Sequence, residues 1–340
     1  MHRTAARVFR VTEVAAFSFN KLVIFGVGLI GGSLARALRE RPDVGGAKQV
    51  IGVGRSTQSS ARALELGVVD ATAALGDDAA LRDALVDADV VLLAAPVAQT
   101  QPLLARIAPF LAPSTIVTDA GSTKSDVVEA ARAALGEQRI GQFVPGHPIA
   151  GRESSGVDAA LPDLYVNRNV VLCPLPENSR AAVDAVAAMW RATGAAVHEM
   201  PAAQHDRVFA SVSHLPHVLS FALVDQILDS SDAELKFSFA AGGFRDFTRI
   251  AASSPEMWRD VCVANRVALL DELDAYSAVL ARLRAAIEAA DGAALEAVFA
   301  RSRAARSAWQ DRAPAHAAAT TSATGAHASA DPSANDASAK

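Results

Sequence analysis

His147 stands in Gly146-His147-Pro148-Ile149-Ala150-Gly151-Arg152-Glu153, directly after a short apolar run, Gln142–Pro145. A histidine at a strand end, between glycines, can serve as a base near neutral pH. A structural hydrogen-bonder in a loop is the bland alternative. Ser122 lies in Asp119-Ala120-Gly121-Ser122-Thr123-Lys124, also after an apolar run, Thr115–Thr118. Its hydroxyl can bond a reacting oxygen, and Ser122 or Ser125 can equally cap the helix that follows. His205 and Asp206, then His214 and His217, fall in one helical stretch, and the last two, three apart, share a face. Metal pairs on a helix more often stand four apart, and Cys173 and Cys262 form no ligand spacing, so no metal site is expected. Arg245, Asp246, Arg249 and Trp258 follow in GGFRDFTRIAASSPEMW, which a solvated charged loop would also explain.

These residues need a scaffold, and KLVIFGVGLIGGS at Lys21–Ser33 supplies its first element. Lys21–Phe25 reads as a strand, Gly26, Gly28 and Gly31 follow in G-x-G-x-x-G spacing, and Leu29–Arg41 reads as a helix. Strand, tight turn and helix N-terminus make an anion site. The first glycine permits the turn, the second leaves room for a pyrophosphate, and the third lets helix and strand pack closely. Dinucleotide binding is the reading in this context; a glycine-rich turn without nucleotide is the alternative.

Further strands are expected at Gln49–Val53, Asp89–Ala94, Thr115–Thr118, Gln142–Pro145, Asn169–Leu172 and Ala196–Glu199. They alternate with helices near Thr57–Leu66, Gln99–Phe110, Asp126–Leu135 and Ala182–Thr193. That alternation predicts an α/β fold, a Rossmann-type doubly wound and mostly parallel sheet over 20–200. After Pro201 no strand is convincing. Gln204–Asp229 reads as one long helix with Pro216 as its natural bend, and Pro255–Val267, Val267–Ala289 and Asp291–Ser307 as further helices. Residues 201–312 are therefore expected to be an all-α domain, and the excess of apolar faces points to a homodimer through it. Residues 1–19 read as a flexible extension and 313–340, mostly Ala, Ser, Thr, Asp and Pro, as a disordered tail.

The chain has 340 residues, 51% of them hydrophobic, enough for two cores. Its net charge of −5 gives no basic surface for nucleic acid or anionic lipid. No apolar run reads as long enough to span a bilayer, and the two cysteines read as buried free thiols, so a cytoplasmic protein without membrane contact is expected.

GVGLIGGS at Gly26–Ser33, DAGSTK at Asp119–Lys124, GHPIAGRE at Gly146–Glu153, HDRVFASVSHLPH at His205–His217 and GGFRDFTRIAASSPEMWRD at Gly242–Asp260 resemble, in that order, the prephenate/arogenate dehydrogenase family of tyrosine biosynthesis. The resemblance covers about 20–310. It implies a Rossmann-type domain, a helical dimerisation domain and oxidative decarboxylation of a cyclohexadienol, with hydride passing to NAD(P). It implies His147 as acceptor of the ring hydroxyl's proton, with Ser122 bonding the same oxygen. Arg249 would hold a substrate carboxylate, and His217 and His214 would stand at the substrate side chain. Gly242 would contribute backbone, and Glu153 with Asp246 would form an ionic gate. Cofactor contacts are assigned to Gly26, Gly28, Leu29, Ile30 and Gly31, to Arg55 and Ser56, and to Ala95 and Pro96 after the apolar strand Asp89–Ala94.

Gly54 occupies the place where the NAD fingerprint expects an acid, and Arg55-Ser56-Thr57 follow it. That tilts the cofactor toward NADP; a solvated Arg55 beside a strand-ending glycine is the alternative. No chorismate mutase segment or regulatory domain is expected. Two competing functions are another Rossmann-plus-helical NAD(P) oxidoreductase, and a nicotinamide-binding regulator without catalysis. Neither needs Ser122, His147, His217 and Arg249 together.

Overall fold

The computed structural model describes residues 17–40, 45–152 and 154–312. Residues 41–44, Glu153 and residues 313–340 lie outside them, as do residues 1–16 of the expected extension. The first eleven elements are β1 (Phe17–Phe25), α1 (Leu29–Glu40), β2 (Gly45–Gly54), α2 (Thr57–Glu65), β3 (Ala71–Ala74), α3 (Asp78–Leu85), β4 (Val90–Leu93), α4 (Thr100–Ile107), β5 (Ile116–Asp119), α5 (Ser125–Arg139) and β6 (Phe143–Val144). The strands form one six-stranded parallel sheet in the order β3-β2-β1-β4-β5-β6. β1 begins at Phe17, four residues before the expected start at Lys21, because Phe17, Ser18 and Phe19 continue the ladder against Gly45, Gly46 and Ala47.

Alternate residues of the central strands enter two cores. Leu22 and Ile24 of β1 and Val90 and Leu92 of β4 join Leu34, Leu38 and Trp190 on one face. Val23, Phe25, Val91 and Leu93 join Leu81, Leu104 and Val127 on the other. A sheet covered on both faces explains why these strands read as unbroken apolar runs. Each such side chain contributes roughly 1.5–3 kcal/mol of burial.

The expected single sheet over 20–200 divides at Pro145. Beyond it come β7 (Gly146–Pro148), β8 (Asn169–Leu172), α6 (Arg180–Ala192) and β9 (Ala196–Glu199). These three strands form a separate sheet, β7 antiparallel to β8 and β8 parallel to β9. Proline has no N–H for a ladder. The Pro145 carbonyl instead accepts from Cys173 N at 2.9 Å, which turns the chain into the second sheet.

The helical region holds α7 (Ala202–Phe209), α8 (Leu215–Leu228), α9 (Ala233–Ser238), α10 (Gly242–Thr248), α11 (Pro255–Ala264), α12 (Arg266–Glu288) and α13 (Gly292–Arg312). The long helix is interrupted just before Pro216 by a π-helical turn, Ala210–His214, in which Leu215 N reaches back to Ala210 O. The GGFRDFT stretch is helix α10 rather than a charged loop. Compactness divides the chain between Ala275 and Tyr276, so the boundary expected at 200/201 lies inside the first unit. Asp206 ties α7 to the start of α5 through Lys124 N and Ser125 N, which holds the early helices to the sheet. The second unit contains the end of α12 and all of α13.

Ala202–Leu228 forms a helical run of 27 residues, long and apolar enough by length and composition to cross a bilayer. This corrects the expectation that no run reaches that length; His205, Asp206, Arg207, His214 and His217 hide it in the sequence. His205, Asp206 and His214 are buried and hydrogen-bonded to protein groups, so that half of the run is a protein core helix.

Candidate active site

Gly26 has φ +94°, and a Cβ there would meet Ala94 O at 2.6 Å. A Cβ on Gly31 would collide with Gly26 O and lie 2.7 Å from Ile24 Cγ2. Both positions exclude side chains, the first by conformation and close approach, the second by packing. A Cβ on Gly28 would meet nothing within 4 Å, so open space lies at the N-terminus of α1, where a pyrophosphate needs it. Leu29 and Ile30 begin the helix there, and Tyr165 Oη donates to Ile30 O at 2.6 Å. A Cβ on Gly26 would also lie 3.3 Å from Ala95 N, and Pro96 follows Ala95 after the end of β4. Arg55 is exposed after β2, whereas Ser56 is the N-cap of α2, its Oγ accepting from Ser59 N at 3.2 Å.

His147 occupies the middle of β7 and is 9% exposed. The residue before it is clamped. Gly146 N donates to Asp119 Oδ1 at 3.0 Å, and Gly146 O accepts from Lys124 Nζ at 2.8 Å. Lys124 in turn pairs with Asp119, both side chains buried. A buried pair with further hydrogen bonds is a rigid anchor, though costly to break. Ser122 lies in the turn between Asp119 and Lys124, at the same end of the first sheet.

His147 Nδ1 lies 2.8 Å from His205 Nε2, and His205 Nδ1 lies 2.9 Å from Asp206 Oδ1. Phe209 walls both rings, with centroids 5.0 Å from His147 and 4.4 Å from His205. Burial pushes the His147 pKa well below its ordinary value, with His205, Lys124 and His214 adding to the effect. Burial lowers His205 as well. Asp206 goes the other way from its desolvation: bonds from His205, Ser125 and Lys124 outweigh burial and hold it down to about 2. The arrangement at pH 7 is thus two neutral imidazoles on one carboxylate.

His214 Nδ1 receives Asn265 Nδ2 at 3.0 Å, and that amide also donates to Asp206 O at 2.8 Å. Burial, then the neighbouring His205, pushes His214 down to about 4. His217 Nδ1 donates to Ser213 O at 2.9 Å, and its ring stacks on Trp258 at 3.5 Å. His214 meets the same indole edge-on at 6.0 Å. His217 is also lowered, first by burial, with Arg249 contributing to the shift. Arg249 and Arg245 line one hollow of about 410 Å³ with Ala240, Ala241, Phe244 and Thr248. Gly242 is exposed at the start of α10, and a Cβ on it meets nothing within 4 Å.

His147 and His214 thus come together around Asp206, and Ser122 sits in the adjoining turn. His217 and Arg249 form a neighbouring group joined through Trp258 and His214. The sequence assigns none of these roles to five of the partners: Asp119, Lys124, Asn265, His205 and Asp206. The cap of α5 is also different from expectation. Neither Ser122 nor Ser125 caps it; the Asp206 carboxylate takes Lys124 N and Ser125 N. The available signal was an adjacent His-Asp pair opening the same helix as His214 and His217.

Comparison with known proteins agrees with this geometry. Residues 34–199 match the family model described as prephenate dehydrogenase, nucleotide-binding domain, and 201–301 match prephenate dehydrogenase, dimerization domain. The chain is 37% identical over 274 residues to a prephenate dehydrogenase of Bacillus subtilis, covering 80% of this chain and 71% of that one. It is 36% identical over 291 residues to a cyclohexadienyl dehydrogenase of Zymomonas mobilis, covering 85% and 95%. A crystal structure of Aquifex aeolicus prephenate dehydrogenase with hydroxyphenyl propionate and NAD+ superposes with a TM-score of 0.76 at 32% identity, covering 85% of this chain and 98% of that one. Synechocystis arogenate dehydrogenase superposes with a TM-score of 0.70 at 30% identity, covering 85% and 99%. The glycine cradle, the buried histidine of β7 and these matches together place the chain in the prephenate dehydrogenase family.

Proposed function

We propose that the protein oxidises and decarboxylates prephenate to 4-hydroxyphenylpyruvate in tyrosine biosynthesis, with arogenate, giving tyrosine, as the alternative substrate. The observation that carries this reading is His147, buried and neutral beside the ends of the parallel strands. A nicotinamide dinucleotide in the glycine cradle would accept the hydride from the ring carbon that bears the hydroxyl. His147 takes the hydroxyl proton at Nε2, since Nδ1 is engaged with His205. The ring carboxylate then leaves as CO2, the ring becomes aromatic, and the proton returns from His147 to the phenolate oxygen. Aromatisation drives the step, so the protein's task is to orient and polarise.

Ser122 supports the same oxygen from the adjoining turn. Arg249 supplies the bidentate cation for a carboxylate, with His217 and His214 at the substrate side chain and Gly242 contributing backbone. Asp246 is assigned to an ionic gate whose other expected member, Glu153, lies outside the described residues. Leu29, Ile30, Ala95 and Pro96 line the cofactor site, and Arg55 favours NADP. The helical region makes a homodimer: Phe209 and Leu215 are buried, but Val212, Val263 and Val267 are 66%, 70% and 71% exposed. Such apolar area on several helices suits a subunit interface. A cytoplasmic location suits this chemistry.

Purified protein given prephenate or arogenate with NAD+ or NADP+, with nicotinamide reduction followed, tests the reading. Reduction in at least one pairing is expected. Its absence in all four, with the cofactor bound, would favour a non-catalytic regulator.

A further inference from the structure

We propose that His205 and Asp206 are positioning residues that fix the tautomer of His147, leaving its Nε2 bare toward the substrate hydroxyl. The inference rests on the reaction proposed above and names how its base is held.

The two contacts leave one consistent arrangement of protons. Asp206 Oδ1 faces His205 Nδ1 at 2.9 Å, while the same carboxylate accepts Lys124 N and Ser125 N at 2.8 Å each. With two backbone amides donating to it at the N-terminus of α5 the carboxylate is ionised, so His205 Nδ1 must carry a hydrogen; a lone pair there would face an anion. Neutral His205 then presents a lone pair at Nε2. His147 Nδ1 lies 2.8 Å from that lone pair and must be the donor. Neutral His147 therefore has no hydrogen on Nε2, the nitrogen needed as acceptor. Were the chain reversed, Nε2 would hold a proton and could take none.

The surroundings keep the chain in place. His205 is fully buried and Asp206 is 6% exposed, so water does not compete for either contact. Phe209 closes one side of both rings. Asp206 is itself fixed to the N-terminus of α5, where the helix dipole adds to the two amide bonds. When Nε2 accepts the substrate proton, the charge on His147 faces, through Nδ1–H and His205, the Asp206 carboxylate. A second group orienting a base in this manner follows the general logic of nucleophile or substrate, base and orienter.

The test uses full-length 15N-labelled protein. Long-range 15N–1H spectra report which ring nitrogen of each histidine is protonated, and loss of a signal set in His147→Asn assigns His147. In the parent, His147 should carry its proton on Nδ1. In His205→Leu the acceptor is gone: His147 should shift to the Nε2–H form, and kcat should fall roughly 10- to 100-fold, a fraction of the ~10²–10⁴ available from a positioned base. KM and the cofactor Kd should stay within about two-fold, since His205 is fully buried behind His147. In His205→Gln the amide oxygen can accept from Nδ1–H, so the tautomer and most of kcat should return. Parental His147 protonated on Nε2 would overturn the proposal without any variant. So would His205→Leu with parental kcat, or with an unchanged His147 tautomer. Failure of the parent to turn over prephenate or arogenate would sink the proposed reaction instead, because the tautomer measurement needs no turnover.

Discussion

Asp206 accepts the backbone N–H of Lys124 at 2.8 Å, so a carboxylate on α7 caps α5 across the first compact unit. The next amide, Ser125 N, goes to the second carboxylate oxygen at 2.8 Å. An N-cap supplied by another helix does two tasks: it satisfies the orphan amides of α5 and fixes α7 against the sheet domain. The same contact orders the DAGSTK turn and the helix that carries His205.

This contact predicts how acid unfolds the protein. Asp206 has a folded pKa of about 2 against 3.8, so its stabilisation is complete above 3.8 and lost as pH falls through about 2. That shift corresponds to roughly 2–3 kcal/mol. His214 is lowered from 6.5 to about 4, so the unfolded chain takes up a proton that the folded chain refuses. Stability from that group is full above 6.5 and declines toward 4, by roughly 3 kcal/mol. Denaturant unfolding between pH 7 and 2 should therefore show two descending segments. Asp206→Asn should flatten the lower one; an unchanged lower segment would mean that other carboxylates cause it.

His147→Asn should keep the fold and cofactor binding and lose kcat by on the order of 10²–10⁴. The pH profile of the parent adds a sign. The base must be neutral, and burial with His205, Lys124 and His214 holds its pKa well below 6.5. The acid limb of kcat/KM should accordingly lie below pH 6.5, with a plateau through 7. Near-parental turnover in the variant would remove His147 from the reaction.

The first sheet and His147 were legible because their signals are local. Lys21–Phe25 and the three glycines lie within one strand–turn–helix unit, and the bare space beside Gly28 is what that spacing anticipates. β3 was not legible: Ala71–Ala74, ATAA, lacks the β-branched bulk that marks a strand, and it forms by pairing with β2. The division of the sheet at Pro145 depends on Cys173 N finding the Pro145 carbonyl, a long-range contact. The role of Asp206 was hidden for the same reason, since its partners Lys124 and Ser125 belong to a different segment of chain. Pairings across such distances have no periodic trace in the residues themselves.

Arg249→Gln should mainly raise KM, because a carboxylate remote from the reacting carbon is held alike in ground and transition states. The loss should be roughly 2–4 kcal/mol, the scale for truncating one partner of a desolvated charge pair. Arg245, on the same hollow, is the internal control. Steady-state kinetics on Arg249→Gln and Arg245→Gln decide between them. Unchanged KM in the first and a raised KM in the second would move the carboxylate site to Arg245.

Cofactor preference should turn on the end of β2. Gly54 offers no carboxylate to a ribose, and Arg55, exposed beside it, can pair with a 2′-phosphate. Ser56 is less available, because its Oγ already caps α2 through Ser59 N. Arg55→Ala should therefore weaken NADP+ selectively, while NAD+ stays nearly unchanged. An aspartate at 54 would repel the phosphate and bond a free 2′-hydroxyl. A Cβ there would lie 3.0 Å from Ser60 Oγ, a hydroxyl that rotates away, so Gly54→Asp should fold. It should shift preference toward NAD+ through both repulsion and the new bond. Comparing kcat/KM for the two cofactors across the parent and both variants is the measurement. A strong parental preference for NAD+, unmoved by Arg55→Ala, would assign ribose recognition to backbone groups around Gly54 and leave Arg55 as a surface residue.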